Sequence, residues 1–337
     1  MEYKVFMFSD GILKGQAQFD FKKFNQICAS KLINISDISI ERFNLDKPFL
    51  EDDKNLIIFC ENKYLDELII KNIKELGNNK KLINEQALIF KKNDFNIVFL
   101  PLEIDLEILN KIFDNEENFT YGQYRVFGLS KESVLKSLNN LKEKFEDFDY
   151  NIIYDNLICD IFVKYKRKDD SLIDDCKLEL LSVFEKYVFS EDNSSLSNIV
   201  SSLLLQKNKT ISICENITNG KILYNLLNAN KDFDKVLKLI NIKDVECEND
   251  EQLVDFSMKF LKEAGSDIAV VTLGGYNDST LEFKFALANK NEVHIYNSTF
   301  KADKNVCKEM AKNSVLFHLM KKLRQNDFAF WDKFDNI

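Results

Sequence analysis

A chain of 337 residues is about two domains long by the usual measure of roughly 150 residues per domain, and 45% hydrophobic and 12% aromatic residues suffice for sizeable cores. The net charge is −9 and the pI near 5.1, with acidic and basic residues interspersed; without the concentrated basic face that phosphate binding needs, nucleic acid is not an expected partner. No stretch approaches the ~18 apolar residues of a membrane span, MEYKVFMFSDG lacks the charged, apolar and small-residue regions of a signal peptide, and the seven cysteines (28, 60, 159, 176, 214, 247, 307) form no CxxC pair, so a soluble cytoplasmic protein with reduced thiols is expected, without membrane or zinc.

Residues 3–8, YKVFMF, read as a first strand, ended by Ser9-Asp10-Gly11. After Ile12-Leu13-Lys14-Gly15-Gln16 a helical pattern runs through Phe21, Phe24, Ile27 and Leu32. Residues 56–60 have the pattern of a buried strand, and the helix through Leu65, Leu68, Ile69, Ile73 and Leu76 ends at Gly77. A further strand at 97–100 is closed by Pro101. Strands alternating with helices of this length imply crossovers and a mostly parallel sheet.

From Ser130 a helix runs through Val134, Leu135, Leu138 and Leu141. Residues 150–154 and 159–165 then read as two strands joined by a short polar turn, and a helix from Asp170 through Phe184 closes this small unit. Asp192 to Ser195 form a turn and cap before the helix of Leu196, Ile199, Val200, Leu203 and Leu204.

The chemistry concentrates at residues 209–223, KTISICENITNGKIL. An apolar strand at 210–214 meets the polar break Glu215-Asn216-Ile217-Thr218-Asn219-Gly220, after which Ile222, Leu223, Leu226 and Leu227 take helical spacing. A strand that turns sharply into a helix aims the turn's side chains and the helix's first N–H groups at one point. α/β proteins place ligands and nucleophiles there. Next come Lys235, Lys238 and Lys243, read as solvated edges, and an amphipathic helix over 251–264 stopped at Gly265. The buried strand 267–272 ends in Leu273-Gly274-Gly275, which reads equally as a plain turn and as a phosphate cradle. Strands at 281–288 and 292–300 flank a turn at 289–291, and a last helix begins near Asp303 and runs to Leu323. His294 and His318 read as structural, and Cys214 and Ser212 as sheet packing.

In order and spacing, these segments resemble the CinA (competence/damage-inducible) family over nearly the whole chain. Ser9-Asp10-Gly11-Ile12-Leu13-Lys14-Gly15-Gln16 is similar to the family's G-D-E-L-L-x-G-Q, Leu100-Pro101-Leu102-Glu103 to L-P-G-V-P-x-E-M, and Phe127-Gly128-Leu129-Ser130-Lys131-Glu132-Ser133 to F-G-I-x-E-S. Residues 215–220 resemble the turn that generally reads A-E-S-C-T-G-G, whose serine is the nucleophile of a nicotinamide-mononucleotide amidohydrolase. Glu215, Thr218 and Gly220 match that turn, while Asn216 stands at the serine position. The resemblance implies an α/β fold with an α+β middle module: a molybdopterin-binding-like three-layer domain at 1–127, a KH-like module at 128–189, a CinA C-terminal domain at 190–326 and a tail at 327–337.

It also implies the sites. The C-terminal residues matching the family's ligand positions are Gly220, Thr272, Gly274, Gly275, Lys304 and Lys308, for a pyridine nucleotide or ADP-ribose-like ligand. Lys304 and Lys308 stand for the family's arginines, and as a helix-surface pair they need no ligand. In the N-terminal domain, an ADP-ribose pyrophosphatase in some members, Asp10 remains, but Gly11 replaces an acidic residue and Glu61-Asn62-Lys63-Tyr64-Leu65 replaces a glycine-rich, metal-holding turn. No cofactor is expected, and a divalent metal only if that site works. The middle module has no GxxG loop for nucleic acid. A carboxamide has no proton to lose, so the covalent step lacks its nucleophile at Asn216. The expectation is a degenerate nucleotide-binding or assembly protein, a homodimer, with an active nicotinamide-nucleotide amidohydrolase as the alternative.

Overall fold

The computed structural model describes residues 2–9, 19–42, 55–76, 80–83, 87–92, 95–113, 119–166, 170–242, 245 and 247–325. The chain divides into two compact units, one comprising 1–123, 135–153 and 160–183, the other 124–134, 154–159 and 184–337. Among the described residues it is a mixed α/β protein with three sheets.

The first unit is built on a six-stranded sheet in the order β2-β1-β3-β6-β5-β4, formed by β1 (Glu2–Ser9), β2 (Asn34–Arg42), β3 (Asn55–Cys60), β4 (Lys80–Ile83), β5 (Ala87–Lys92) and β6 (Phe95–Pro101). The four strands from β2 to β6 run parallel, and β5 and β4 return antiparallel. Helix α1 (Phe21–Ser30) and the short α3 (Ile108–Phe113) cover one face through Phe24, Ile27, Leu109 and Ile112, and α2 (Asn62–Leu76) covers the other through Leu68. The apolar spacing of 56–60 and 97–100 thus gives the two central strands expected. β2 escapes a reading by pattern because a register shift beside Tyr3 and Lys4 breaks the alternation of its isoleucines. Helix α1 stops before Leu32, a residue expected within it: Leu32 takes a positive φ of 53°, and the N–H of Ile33 turns back to the carbonyl of Cys28.

A four-stranded sheet in the order β10-β7-β9-β8 follows, from β7 (Phe119–Phe127), β8 (Phe148–Asp155), β9 (Ile158–Lys166) and β10 (Val188–Ser190), with helices α4 (Lys131–Lys144) and α5 (Asp170–Phe184) between its strands in sequence.

In the second unit a five-stranded sheet runs β12-β11-β13-β14-β15, from β11 (Ile211–Glu215), β12 (Leu237–Ile242), β13 (Ile268–Asn277), β14 (Thr280–Asn289) and β15 (Val293–Lys301). The first three are parallel and the last two antiparallel. Helices α6 (Leu196–Gln206), α7 (Lys221–Ala229) and α9 (Lys304–Gln325) pack one face through Val200, Leu204, Ile222, Leu226, Leu316 and Leu319. Helix α8 (Asp250–Ala264) packs the other, setting Leu253, Phe260 and Leu261 against Cys214, Ala269 and Val271. The connections leaving β11 and β12 therefore lie on opposite faces. The carboxyl ends of β11 and β13 open between them, the place where open α/β sheets bind ligands.

One local expectation is overturned. Gly274-Gly275 form no turn: β13 runs through both, with Gly274 opposite Phe283 and Gly275 opposite Glu282. With no proline to stop it, the strand keeps its ladder bonds, and the missing side chain at 274 serves close packing. A Cβ there would lie 2.8 Å from the carbonyl oxygen of Glu282 and 3.4 Å from Ile217.

Candidate functional site

β11 ends at Glu215, whose carboxylate is fully buried. Burying that charge is tolerated because three donors converge on it: the hydroxyl of Thr218 at 2.7 Å, the N–H of Ile222 at 3.1 Å and the N–H of Leu223 at 2.8 Å. Glu215 thus supplies from within the chain the negative charge that the first turn of α7 attracts. The turn between them closes through Asn219 and Gly220, both with positive φ, 51° and 80°. Asparagine and glycine are the residues that accept this geometry. The N–H of Asn219 reaches the carbonyl of Asn216 at 3.1 Å, and that of Lys221 the carbonyl of Thr218 at 3.1 Å.

Asn216 is half-buried, and its N–H donates to Thr272 Oγ1 on the neighbouring β13 at 3.1 Å. It lines a cleft of about 580 Å³ together with Gly274 and Gly275, the segment of Val245, Cys247 and Asn249 before α8, and Glu282, Lys284, Asn297, Ser298 and Thr299 of β14 and β15. The register places Glu282 opposite Thr299 and Lys284 opposite Asn297, so these four share one sheet face. Lys284 is ion-paired to Asp250 at the start of α8. The cleft therefore offers amides, hydroxyls and one carboxylate, with its cation already partnered. None of the β14 and β15 residues was singled out by sequence reading. The signal was present as alternation of polar with buried apolar positions in 281–288, but alternation alone does not say which polar positions face a cleft.

The structure brings Glu215, Asn216, Thr218, Gly220 and Thr272 into one hydrogen-bonded turn and adds Gly274 and Gly275 along the cleft floor. The described lining does not include Lys304 or Lys308. The ammonium of Lys304 lies 5.3 Å from the ring of Tyr276, whose hydroxyl donates to the Lys304 carbonyl, and Lys308 is half-buried on the same helix. Lys221, directly after the turn, is paired with Glu309 of α9, which also binds Lys312 at 2.6 Å. Burial pushes the Glu309 carboxyl up, but the two ammonium partners outweigh it and hold it below the ordinary carboxylate range.

The other residues considered lie elsewhere. Cys214 is fully buried against α8, and Ser212 bonds Ser266 at 2.9 Å. Lys235 pairs with Asp232 at 2.8 Å, and Lys243 lies outside the described residues. His294 Nε2 stands 2.9 Å from Glu292 and 3.0 Å from the ammonium of Lys322, while His318 packs on Tyr296 with ring centroids 4.1 Å apart. In the first unit, Asp10 with the segment 10–16 lies outside the described residues, and Glu61 is buried with its carboxylate 3.3 Å from Lys63. Among the described residues no group of three or more His, Cys, Asp or Glu side chains is placed to hold a metal, and no helix is long and apolar enough to cross a membrane.

No protein-family model matches the chain. It is similar to a putative competence-damage inducible protein of Caldicellulosiruptor saccharolyticus, with 22% identity over 228 residues, 59% of this chain and 55% of the relative. The chain thus spans about half the length of the curated relative it matches. Among solved structures, the similar ones include a CinA superfamily protein of Klebsiella pneumoniae (18% identity, 39% of this chain and 96% of the other, TM-score 0.35) and the competence/damage inducible protein of Agrobacterium tumefaciens (12%, 40% and 100%, TM-score 0.33). By sequence, the chain resembles the competence-damage inducible proteins.

Proposed function

We propose that this chain is a catalytically degenerate CinA-related protein that binds a nucleotide-like ligand, or acts in assembly, without hydrolysing an amide. One observation carries the reading: the residue of the turn that lines the cleft is Asn216, whose side chain is a carboxamide, while the turn's one hydroxyl, Thr218, is fully buried and donates to Glu215. A nucleophile needs access to the substrate and a base free to take its proton. Thr218 has no access, and the Glu215 carboxylate beside it is already engaged by two helix N–H groups. A cleft of about 580 Å³ falls within the size range of small-ligand sites, and its amides and hydroxyls suit the ribose or carboxamide of a pyridine nucleotide or an ADP-ribose-like ligand. The seven cysteines stand as thiols rather than disulfides, which suits a reducing, cytoplasmic setting.

The test is incubation with nicotinamide mononucleotide and assay of ammonia, alongside thermal shift with the same nucleotide and with ADP-ribose. No ammonia and a raised melting temperature with one ligand are expected. Failure of both ligands to raise it would remove the binding claim. The alternative, an active nicotinamide-nucleotide amidohydrolase, gains from one observation, the hydroxyl residue Thr299 in the same cleft, on the sheet face of Glu282 and Asn297. Ammonia release that disappears in Thr299→Ala or Thr218→Ala would establish it.

A further inference from the structure

A second cavity, of about 590 Å³, lies in the second unit at the other end of the five-stranded sheet from the Asn216 cleft. It borders Ile268, where β13 begins, six residues or about 20 Å along the strand from Gly274. Its floor is apolar, formed by Leu287 of β14 and by Leu319 and Leu323 of α9. Around this floor stand the ammonium groups of Lys209, Lys290 and Lys322, the imidazole of His294, and the carboxylates of Asp267 and Glu292. Asp267 already accepts from the N–H and hydroxyl of Thr210, and Lys209 and Lys290 stand 4.0 and 3.9 Å from it, beyond hydrogen-bonding distance. Three ammonium groups against two carboxylates leave an excess of positive charge over an apolar floor.

Within this group, Nε2 of His294 is 2.9 Å from the Glu292 carboxylate and 3.0 Å from the Lys322 ammonium. A carboxylate only accepts and an ammonium only donates, so the first contact needs a proton on Nε2 and the second needs its lone pair. One nitrogen meets one of these demands at a time. With the proton present, Glu292 is satisfied, while Lys322, whose side chain is only 22% exposed, faces an N–H and has its other ion-pair partner, Glu292, 4.0 Å away. An anion in the cavity would accept from Lys322 and leave Nε2–H on Glu292. We propose that this cavity binds a small organic carboxylate, its charge at Lys322 in the field of Lys209 and Lys290 and its apolar body on Leu287, Leu319 and Leu323. A phosphate lacks a backbone cradle here. The N–H groups of Asn291 and Glu292 donate to Asn289 Oδ1 at 2.8 and 3.1 Å, and that of Asn289 donates to the Glu292 carbonyl at 2.9 Å. The cavity is separate from the Asn216 cleft, so the proposal holds or fails independently of the function proposed there.

The experiment is isothermal titration of the full chain at low ionic strength with phenylacetate, phenylacetamide, acetate and inorganic phosphate. Phenylacetate is expected to bind. Phenylacetamide lacks the charge, and acetate and phosphate lack the apolar body, so each is expected to bind at least about tenfold more weakly. Lys322→Met keeps the aliphatic stem and should weaken phenylacetate about tenfold without changing phenylacetamide. Lys322→Arg keeps the charge and should retain binding, which separates loss of charge from loss of fold. Lys259→Met, on α8 across the sheet, removes a lysine paired with Glu263 and should bind as wild type does. Absence of phenylacetate binding, equal affinity for the acid and its amide, phosphate as tight as phenylacetate, or a Lys322→Met variant that binds phenylacetate as wild type does would each overturn the proposal.

Discussion

The hydroxyl of Thr218 lies 2.7 Å from Glu215 Oε2, and both side chains are shut off from solvent. That bond joins the end of β11 to the start of α7, because the same carboxylate accepts from Ile222 and Leu223. It is a structural clasp at the position where a catalytic group would be sought.

Removing the clasp should therefore read out in stability. Glu215→Ala leaves two helix N–H groups, that of Ile222 buried, and the buried Thr218 hydroxyl without their acceptor, and a loss of about 2–4 kcal/mol is expected in urea denaturation. Thr218→Val removes one bond of the three and should cost about 1 kcal/mol. Equal losses for the two variants would contradict the carboxylate as the hub.

The two glycines of β13 separate packing from flexibility. Gly274→Ala drives a methyl group to 2.8 Å from the Glu282 backbone, which cannot rotate away, and a loss of about 1–3 kcal/mol is expected. Gly275→Ala meets nothing within 4 Å and should be neutral or up to about 0.5 kcal/mol stabilising. Melting temperatures of the pair check this; tolerance of alanine at 274 would show that the strands part more easily than the packing indicates.

Acid sensitivity should track Asp267. The N–H of Thr210 donates to its carboxylate at 3.0 Å and the Thr210 hydroxyl at 2.9 Å, with Lys209 and Lys290 near 4 Å, and the carboxyl is held below its ordinary range, chiefly by the backbone bond. A carboxyl depressed in the native state adds stability above the unfolded value of about 3.9, and loses it as pH falls through the lower native value. Unfolding midpoints measured against pH should drop below about pH 4 in wild type, and Asp267→Asn should flatten that drop while losing about 1 kcal/mol at neutral pH. A variant with an unchanged acid limb would dissociate Asp267 from it.

Much of the architecture follows from local pattern. The apolar runs at 56–60, 97–100 and 210–214 become buried central strands because such runs find water-free surroundings only within a covered sheet. The helix over 250–264 was legible from its apolar spacing and its terminal Gly265, which takes a φ of 60°. The turn at 215–220 was legible as a strand-to-helix junction, and its carboxamide at 216 as a group unable to attack a carbonyl. β2 was illegible because a register shift breaks its period, and β12 because its apolar residues lie on both faces.

What composition and spacing could not fix was partnership. That Glu215 would be sealed by Thr218 and two helix amides depends on how the turn orients its side chains, and that Gly274 would serve close packing within a strand and that Glu282, Lys284, Asn297 and Thr299 would line the cleft beside Asn216 are results of strand register. Register joins residues dozens of positions apart, and a one-residue slip would turn every side chain to the opposite face, so only the folded sheet decides which groups meet.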